Sequence, residues 1–164
     1  MDEYIHGLSD ALHPIARMFF VTFSRFEFAL KRGDFLNGAI GSPAHPDWDK
    51  FAQALGENFF RRMKTAPEAN IFFSARAKKL VVIAANEADF QSPPEIRNAQ
   101  QLFEATRQVR NNLFHGEKAY VTQRDVDLMT AALFVLDSAF TTAMQDPRCN
   151  KMTLAFTFSA VAPS

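Results

Sequence analysis

The stretch "PIARMFFVTFSRFEFALKRG", residues 14–33, carries the clearest fold signal in the chain. Pro14 suits a first helical turn, and Gly33 is a natural helix stop. Phe20 and Phe28 lie off the main apolar stripe, which indicates a second contact surface. We therefore predict a helix over residues 14–32 that buries one face in a core. The apolar residues on that face are Ile15, Met18, Phe19, Phe23, Phe26, Ala29 and Leu30.

Breaks in the downstream sequence divide it into further helical segments. The loop "GAIGSPAHPD", residues 38–47, precedes a predicted second helix over residues 47–64. Residues 68–88, "EANIFFSARAKKLVVIAANEA", are predicted to form a largely buried third helix after Pro67. Ser92 and Glu95 form an S-x-x-E pattern typical of a capping box. They predict a fourth helix of roughly 23 residues, or about 35 Å, that ends before Gly116.

The C-terminal part of the sequence completes the predicted fold. Thr122 and Asp125 indicate another helix cap, and the fifth helix should then run to about Gln145. Residues 151–161, "KMTLAFTFSAV", alternate enough to predict a short strand or extended arm. Since strand signals are nearly absent elsewhere, we predict an all-α fold. It would be a compact bundle of about five helices in a single domain over residues 1–164, with a short extended C-terminal tail.

Composition limits the classes of function. The chain has 164 residues, 18 of them phenylalanine, and a formal net charge of zero. Phenylalanine brings apolar area without a polar group, so we expect a thick core and an apolar oligomer surface. Zero net charge means that any nucleic-acid contact must come from a local patch. The single cysteine, the lack of a signal-peptide pattern and the lack of a long apolar run predict a soluble cytoplasmic protein with no membrane contact.

The stretch "RQVRNNLFHGEK", residues 107–118, gathers polar side chains at the end of the predicted fourth helix. On a helical wheel the apolar residues fall on the opposite side, towards the core. Asn111 and His115 are an i, i+4 pair and should face each other. The helix therefore presents one polar face, whose members are Arg107, Arg110, Asn111 and His115, with Asn112 beside them.

Arg110 and His115 have complementary chemistry. An arginine can grip a phosphate through two parallel hydrogen bonds and neutralise charge that develops on it. A histidine with an ordinary pKa of about 6.5 can act as acid or base near neutrality. RNA supplies its own nucleophile, the 2′-hydroxyl, so this pair suffices for phosphodiester cleavage. The alternative is that these residues only complement the helix dipole or solvate the helix end.

Other candidate groups give weaker signals. His6, His13 and His45 are scattered and show no metal-ligand spacing. Cys149 has no evident base partner and is expected to be an inert thiol. The basic segments "RRMK" and "RAKK" are expected to be solvated faces, with phosphate contact as the alternative. We therefore predict neither a metal site nor a cofactor.

The segment "RNNLFHG", residues 110–116, resembles the R-x4-6-H motif of the HEPN superfamily, here with four intervening residues. The polar Asn111 directly after the arginine matches a common preference of that family. Residues 23–35, "FSRFEFALKRGDF", also look like the first-helix pattern of some prokaryotic HEPN proteins. The resemblance implies a compact helical bundle with the motif late in the chain. The tail after the fifth helix has no place in that pattern.

The resemblance also implies an activity. It is that of a metal-independent endoribonuclease that works as a homodimer, leaves 2′,3′-cyclic phosphate ends, and serves as a toxin or in defence against phage. Its partners would be RNA and a nucleotidyltransferase-like antitoxin. Arg110, His115 and Asn111 carry over as catalytic residues, and Arg107, Asn112 and Lys118 are expected to bind RNA. The alternative is a noncatalytic HEPN module that binds RNA or a partner protein.

Two sets of phenylalanines are candidates for the dimer interface. Phe103 and Phe114 are predicted to lie on the motif face, where burial between two copies would be favourable at roughly 25 cal/mol per Å² of apolar surface. Phe20 and Phe28, off the main stripe of the first helix, are the second choice. The alternative is that these rings pack within one chain, under the loop at residues 36–46 or under the C-terminal tail.

Overall fold

The computed structural model describes residues 13–114 and 121–158 of the chain. In these residues the fold is mainly helical, with two small antiparallel hairpins. The helices are α1 (Pro14–Arg32), α2 (Trp48–Thr65), α3 (Ile71–Ser74), α4 (Ala99–Phe114), α5 (Gln123–Ala143) and α6 (Asn150–Phe158). The strands are β1 (Leu36–Asn37) paired with β2 (His45–Pro46), and β3 (Lys79–Ala84) paired with β4 (Glu87–Gln91). Short 3-10 turns occupy Pro67–Ala69 and Pro147–Cys149.

Helix α1 has the predicted boundaries because local chemistry fixes both ends. The side chain of His13 caps the first turn by accepting a hydrogen bond from the Ile15 N–H, and Pro14 occupies the first helical position. At the other end the N–H of Gly33 bonds the carbonyl of Leu30. The buried face of α1 includes Phe19, Phe23 and Phe26. The predicted helix over residues 14–32 is confirmed, but Met18, predicted on its buried face, is 56% exposed.

The prediction of a helix over residues 68–88 is wrong. Only Ile71–Ser74 forms an α-helix there, and Lys79–Ala84 and Glu87–Gln91 form an antiparallel hairpin. The run "LVVI" in β3 is rich in β-branched residues, which favour strands. Asn86 adopts a left-handed conformation with φ of 62° at the hairpin turn, a conformation that asparagine tolerates well.

Helix α4 is shorter than predicted because its cap lies later in the sequence. The side chain of Asn98, not that of Ser92, accepts a hydrogen bond from a first-turn N–H, that of Gln101 at 2.9 Å. The helix therefore begins at Ala99 and has 16 residues as far as Phe114. The segment with Pro93 and Pro94 is irregular, so the capping box predicted at Ser92 and Glu95 is wrong.

The two C-terminal helices give one confirmed and one wrong prediction. Thr122 and Asp125 form the predicted capping box of α5, with each side chain bonded to the other's backbone N–H. The predicted extended tail is instead helix α6. Its residues favour helix here because they pack along α1, and tertiary packing overrides weak local preference. The chain is thus predominantly helical but not all-α.

Helix α6 is fastened to α1 at two points. The guanidinium of Arg25 donates from Nε to the Phe156 carbonyl at 2.9 Å and from Nη2 to the Ala155 carbonyl at 3.3 Å. At the other end of the contact, Gly33 lies so close to Met152 that an added Cβ would fall 2.3 Å from the Met152 Cα atom. The two helices are therefore antiparallel and in close contact.

One connected core is built mainly from aromatic rings. Trp48 lies at its centre, with its ring against those of Phe23, Phe26 and Phe103. Phe103 is fully buried and also stacks on Phe59. The prediction that Phe103 lies on an exposed dimer face is therefore wrong, because this ring points into the core of one chain.

Helix α5 is long and apolar enough, by length and composition, to cross a membrane. The sequence-based statement that no such run exists is therefore corrected. Much of this helix is buried against its neighbours, including Met129, Val135 and Leu136, as in the core helix of many water-soluble bundles.

Candidate functional site

The side chain of Arg110 lies in the contact between α4 and α1. Its Nη2 atom is 3.5 Å from Oε2 of Glu27 in an ion pair. Its guanidinium carbon lies 5.5 Å from the centre of the Phe23 ring, within the range of a cation–π interaction. The side chains of Arg110 and Glu27 are only 31% and 24% exposed, so this pair is partly shielded from solvent.

Asn111 and Arg107 extend this cluster along α4. The Nη1 atom of Arg110 donates a 3.0 Å hydrogen bond to Oδ1 of Asn111. Asn111 is half-buried, and Arg107, one turn earlier, is exposed. The structure thus brings Arg110 and Asn111 into direct contact. We call Arg110, Asn111 and Glu27 the α4–α1 polar cluster.

Asn112 belongs to the protein interior. It is 6% exposed, and its side-chain amide donates to the carbonyl of Lys78 at 2.8 Å while its oxygen accepts a hydrogen bond from Gln108. These bonds tie α4 to the segment that leads into β3. The side chain of Asn112 is therefore buried and already bonded to the protein, and its predicted contact with RNA stays a prediction.

Residues 115–118 of the predicted motif region lie outside the described residues. They include the predicted site residues His115 and Lys118, and the side chain of Phe114 is likewise outside. Their predicted roles therefore remain predictions. The described part of the cluster ends at Asn111, and the predicted acid/base residue His115 follows later in the sequence.

The second-choice interface residues differ in their surroundings. Phe20 is 47% exposed, whereas Phe28 is half-buried with the guanidinium groups of Arg25 and Arg32 over its ring. The Phe28 ring is thus partly covered by its own chain. Phe20 keeps nearly half of its surface accessible.

Among residues 13–114 and 121–158, no three His, Cys, Asp or Glu side chains come together in a group that could hold a metal ion. Cys149 is fully buried, and burial raises the pKa of its thiol, which disfavours the reactive thiolate. This agrees with an inert thiol.

Sequence reasoning missed Glu27. The sequence does show a carboxylate at this position, among the α1 residues that were divided between the core and the surface. Its pairing with Arg110 could not be read from spacing, since the two residues are far apart in sequence. The carboxylate changes the chemistry of the cluster, because it competes with a phosphate for the same guanidinium.

The whole chain was compared with known proteins. No protein-family model, curated protein or solved structure matches it.

Proposed function

We propose that the chain is an HEPN-like, metal-independent endoribonuclease that acts as a cytoplasmic homodimer. The observation that carries the proposal is the contact between Arg110 and Asn111 on a partly exposed helix face, with exposed Arg107 one turn earlier. In the proposed site, Arg110 binds the phosphate and the Asn111 amide orients the guanidinium. In the sequence, His115 follows Arg110 by five residues, about one helical turn and a half.

The proposed reaction is a transesterification of RNA. His115 removes the proton of the 2′-hydroxyl, or protonates the leaving 5′-oxygen. The 2′-oxygen bonds to phosphorus as the bond to the 5′-oxygen breaks, which leaves a 2′,3′-cyclic phosphate and a 5′-hydroxyl. Arg110 stabilises the negative charge on the phosphoryl oxygens in the transition state. Asn111 holds the guanidinium in position.

Two copies would present the motif twice, which supplies a second proton-transfer group and a second phosphate clamp. In this role the protein would act as a toxin or phage-defence ribonuclease, and a nucleotidyltransferase-like antitoxin would be its counterpart. Exposed Arg107 supports RNA binding, and Lys118 belongs to the same proposal.

An RNA-cleavage assay in excess chelator tests this function. The wild-type protein should cut single-stranded RNA and leave cyclic phosphate ends, and Arg110→Ala and His115→Ala should lose at least about 100-fold in rate, in line with loss of an acid/base or charge-stabilising group. Circular dichroism and a melting curve establish that each variant is folded.

Matched controls separate chemistry from general charge. Arg61→Ala removes an exposed arginine on α2, and His45→Ala removes an exposed histidine in β2. Both should cleave at the wild-type rate. Cleavage that both motif variants retain, or that returns only with added divalent metal, would contradict the proposed mechanism.

A noncatalytic binding module is the second candidate, and a specific observation favours it. The Arg110 guanidinium is already engaged by Glu27, Asn111 and the Phe23 ring, as expected of a structural arginine. In that case Arg110→Ala would lower the melting temperature of the protein. Neither this variant nor the wild-type protein would cleave RNA. RNA binding without cleavage by the wild-type protein would select this function.

A further inference from the structure

The β3–β4 hairpin exposes apolar side chains. Val82 is 80% exposed and Ile83 is 54% exposed, and the adjacent Leu80 and Val81 are only half-buried. The helical bundle therefore leaves more than half of the Val82 and Ile83 side chains uncovered. The hairpin therefore offers an apolar, strand-forming surface to solvent.

Within the described residues, the outer edge of β3 has no backbone partner. No backbone hydrogen bond joins Lys79–Ala84 to any described residue other than those of β4. The hairpin is fastened to the bundle next to this strand, where Asn112 bonds the Lys78 carbonyl and Arg124 bonds the carbonyls of Ala75 and Arg76. Two-stranded sheets are marginal on their own, and open edges favour pairing with another strand.

The charges on the two strands favour β3 over β4 as the strand that pairs with a second copy. Strand β4 carries Glu87 and Asp89, so pairing β4 with a second β4 about Ala88 or Asp89 would set carboxylates opposite each other. Strand β3 carries one charge, Lys79, at its start. Two copies of β3 can therefore pair antiparallel without opposing like charges.

The regular part of β3 determines how two copies of this strand would align. The pairing of β3 with β4 is regular up to Val82 and shifts between Val82 and Ala84, so the regular part of β3 is its first half. A two-fold axis through an antiparallel strand pair sets one residue opposite its own copy. Centred on Val81, the pairing places Leu80 opposite Val82 of the second copy and Lys79 opposite Ile83.

We propose that the outer edge of β3 binds the same strand of a second copy, antiparallel and centred on Val81, to form a four-stranded sheet. This interface replaces the one predicted through Phe103. It does not rest on RNA cleavage, although it would join two copies beside the end of α4, where Asn112 anchors the hairpin.

Disulfide trapping in the full-length protein tests the register. Opposite residues in antiparallel strands have Cα atoms about 4.5–5.5 Å apart, within disulfide range, whereas diagonal neighbours are about 7–8 Å apart. Val81→Cys should therefore form a covalent dimer under mild oxidation. Val82→Cys, although this position is more exposed, should form at least about 10-fold less covalent dimer. Buried Cys149 serves as the unreactive background thiol.

Light scattering at micromolar concentration tests the surface. The wild-type protein should have twice the chain mass, and Val82→Lys should be monomeric because it places a charge against Leu80 of the second copy. Ile40→Lys, a fully exposed site elsewhere, and Val21→Lys, in the exposed apolar part of α1, should remain dimeric.

A monomeric wild-type protein would overturn the proposal. So would a dimer that is lost in Val21→Lys and retained in Val82→Lys, which would place the interface on α1, or cross-linking at Val82→Cys in excess of Val81→Cys. None of these measurements uses RNA. An inactive protein that still cross-links through Val81→Cys would therefore refute the ribonuclease function and leave the interface standing.

Discussion

Arg110 and Glu27 form an ion pair between α4 and α1, with Nη2 and Oε2 3.5 Å apart and both side chains less than one-third exposed. The pair links the helix that carries the motif to the helix at the start of the described chain. It also holds the guanidinium in a fixed place next to Asn111. A phosphate that approaches Arg110 must compete with the carboxylate.

Removal of that carboxylate should strengthen RNA binding. We expect Glu27→Gln to bind single-stranded RNA more tightly, because the carboxylate no longer competes with a phosphate for the Arg110 guanidinium. The slope of log affinity against log salt should become steeper by about 0.7. Glu57→Gln, which makes the same change in charge in an exposed pair on α2, should leave that slope unchanged. Equal slopes for both variants would show that Arg110 does not contact RNA phosphate.

The buried amide of Asn112 should matter for stability. Asn112→Ala leaves the Lys78 carbonyl without its side-chain donor, so the free energy of unfolding should fall by about 1–3 kcal/mol. Asn111→Ala, at the neighbouring half-buried position, should lower the free energy of unfolding by a smaller amount. Urea denaturation measures both, and hydrogen exchange should show faster opening of the hairpin in Asn112→Ala only. Equal stability of the two variants would contradict the anchoring role.

Asp146 should make stability depend on pH in the acid range. Its hydrogen bonds with the side chain and backbone N–H of Arg148 lower the pKa of its carboxyl group in the folded protein. The stabilisation is therefore present above the unfolded pKa of about 3.9 and is lost as pH falls through the lower folded pKa. Wild-type protein should resist urea better than Asp146→Asn at pH 7, and the difference should shrink towards pH 2.

Removal of the partner provides the control for this effect. In an Arg148→Ala background, Asp146→Asn should have a smaller effect on the urea midpoint at pH 7. A difference between wild type and Asp146→Asn that stays constant from pH 7 to pH 2 would mean that the carboxylate does not contribute through its charge.

Gly33 should be intolerant of a side chain although its backbone is not strained. Its φ is −113°, and the restriction comes from the Met152 backbone, which an added Cβ would approach to 2.3 Å. Gly33→Ala should therefore push α6 away and cost about 1–3 kcal/mol of stability. Ser24→Ala, on the exposed side of α1, is the control. Met152→Ala should not rescue Gly33→Ala, because the clash is with main-chain atoms, and full rescue would refute this explanation.

Sequence reasoning succeeded where local chemistry decides the structure. Pro14 and Gly33 bound α1, and the reciprocal bonds of Thr122 and Asp125 start α5, so both helices could be predicted closely. It failed where distant contacts decide. Residues 151–158 become helical against α1, and the strand-forming run of β3 is flanked by alanines that favour helix. Asn98 is the residue that caps α4, but the S-x-x-E pattern at Ser92 is a clearer cap signature. The sequence therefore predicted that this helix begins earlier than it does.

The candidate site could be predicted only along one helix. Helical spacing placed Arg110 and Asn111 on one polar face, but it did not predict the bond between them, because adjacent residues on a helix do not face each other. Glu27 could not be found in this way, because its position depends on how α1 packs against α4. The same packing buries Phe103, which a helical wheel alone had assigned to the motif face.

The bond between Arg25 and the Phe156 carbonyl joins residues 131 positions apart, which sets the order in which the protein can form during synthesis. Helix α1 leaves the ribosome before α5 and α6, which cover its apolar face. Until these helices emerge, the Phe-rich face of α1 is exposed in the nascent chain, where such surfaces promote aggregation. Chaperone capture of nascent α1 should therefore end only when α6 has emerged, and premature release before residue 150 should yield an insoluble product.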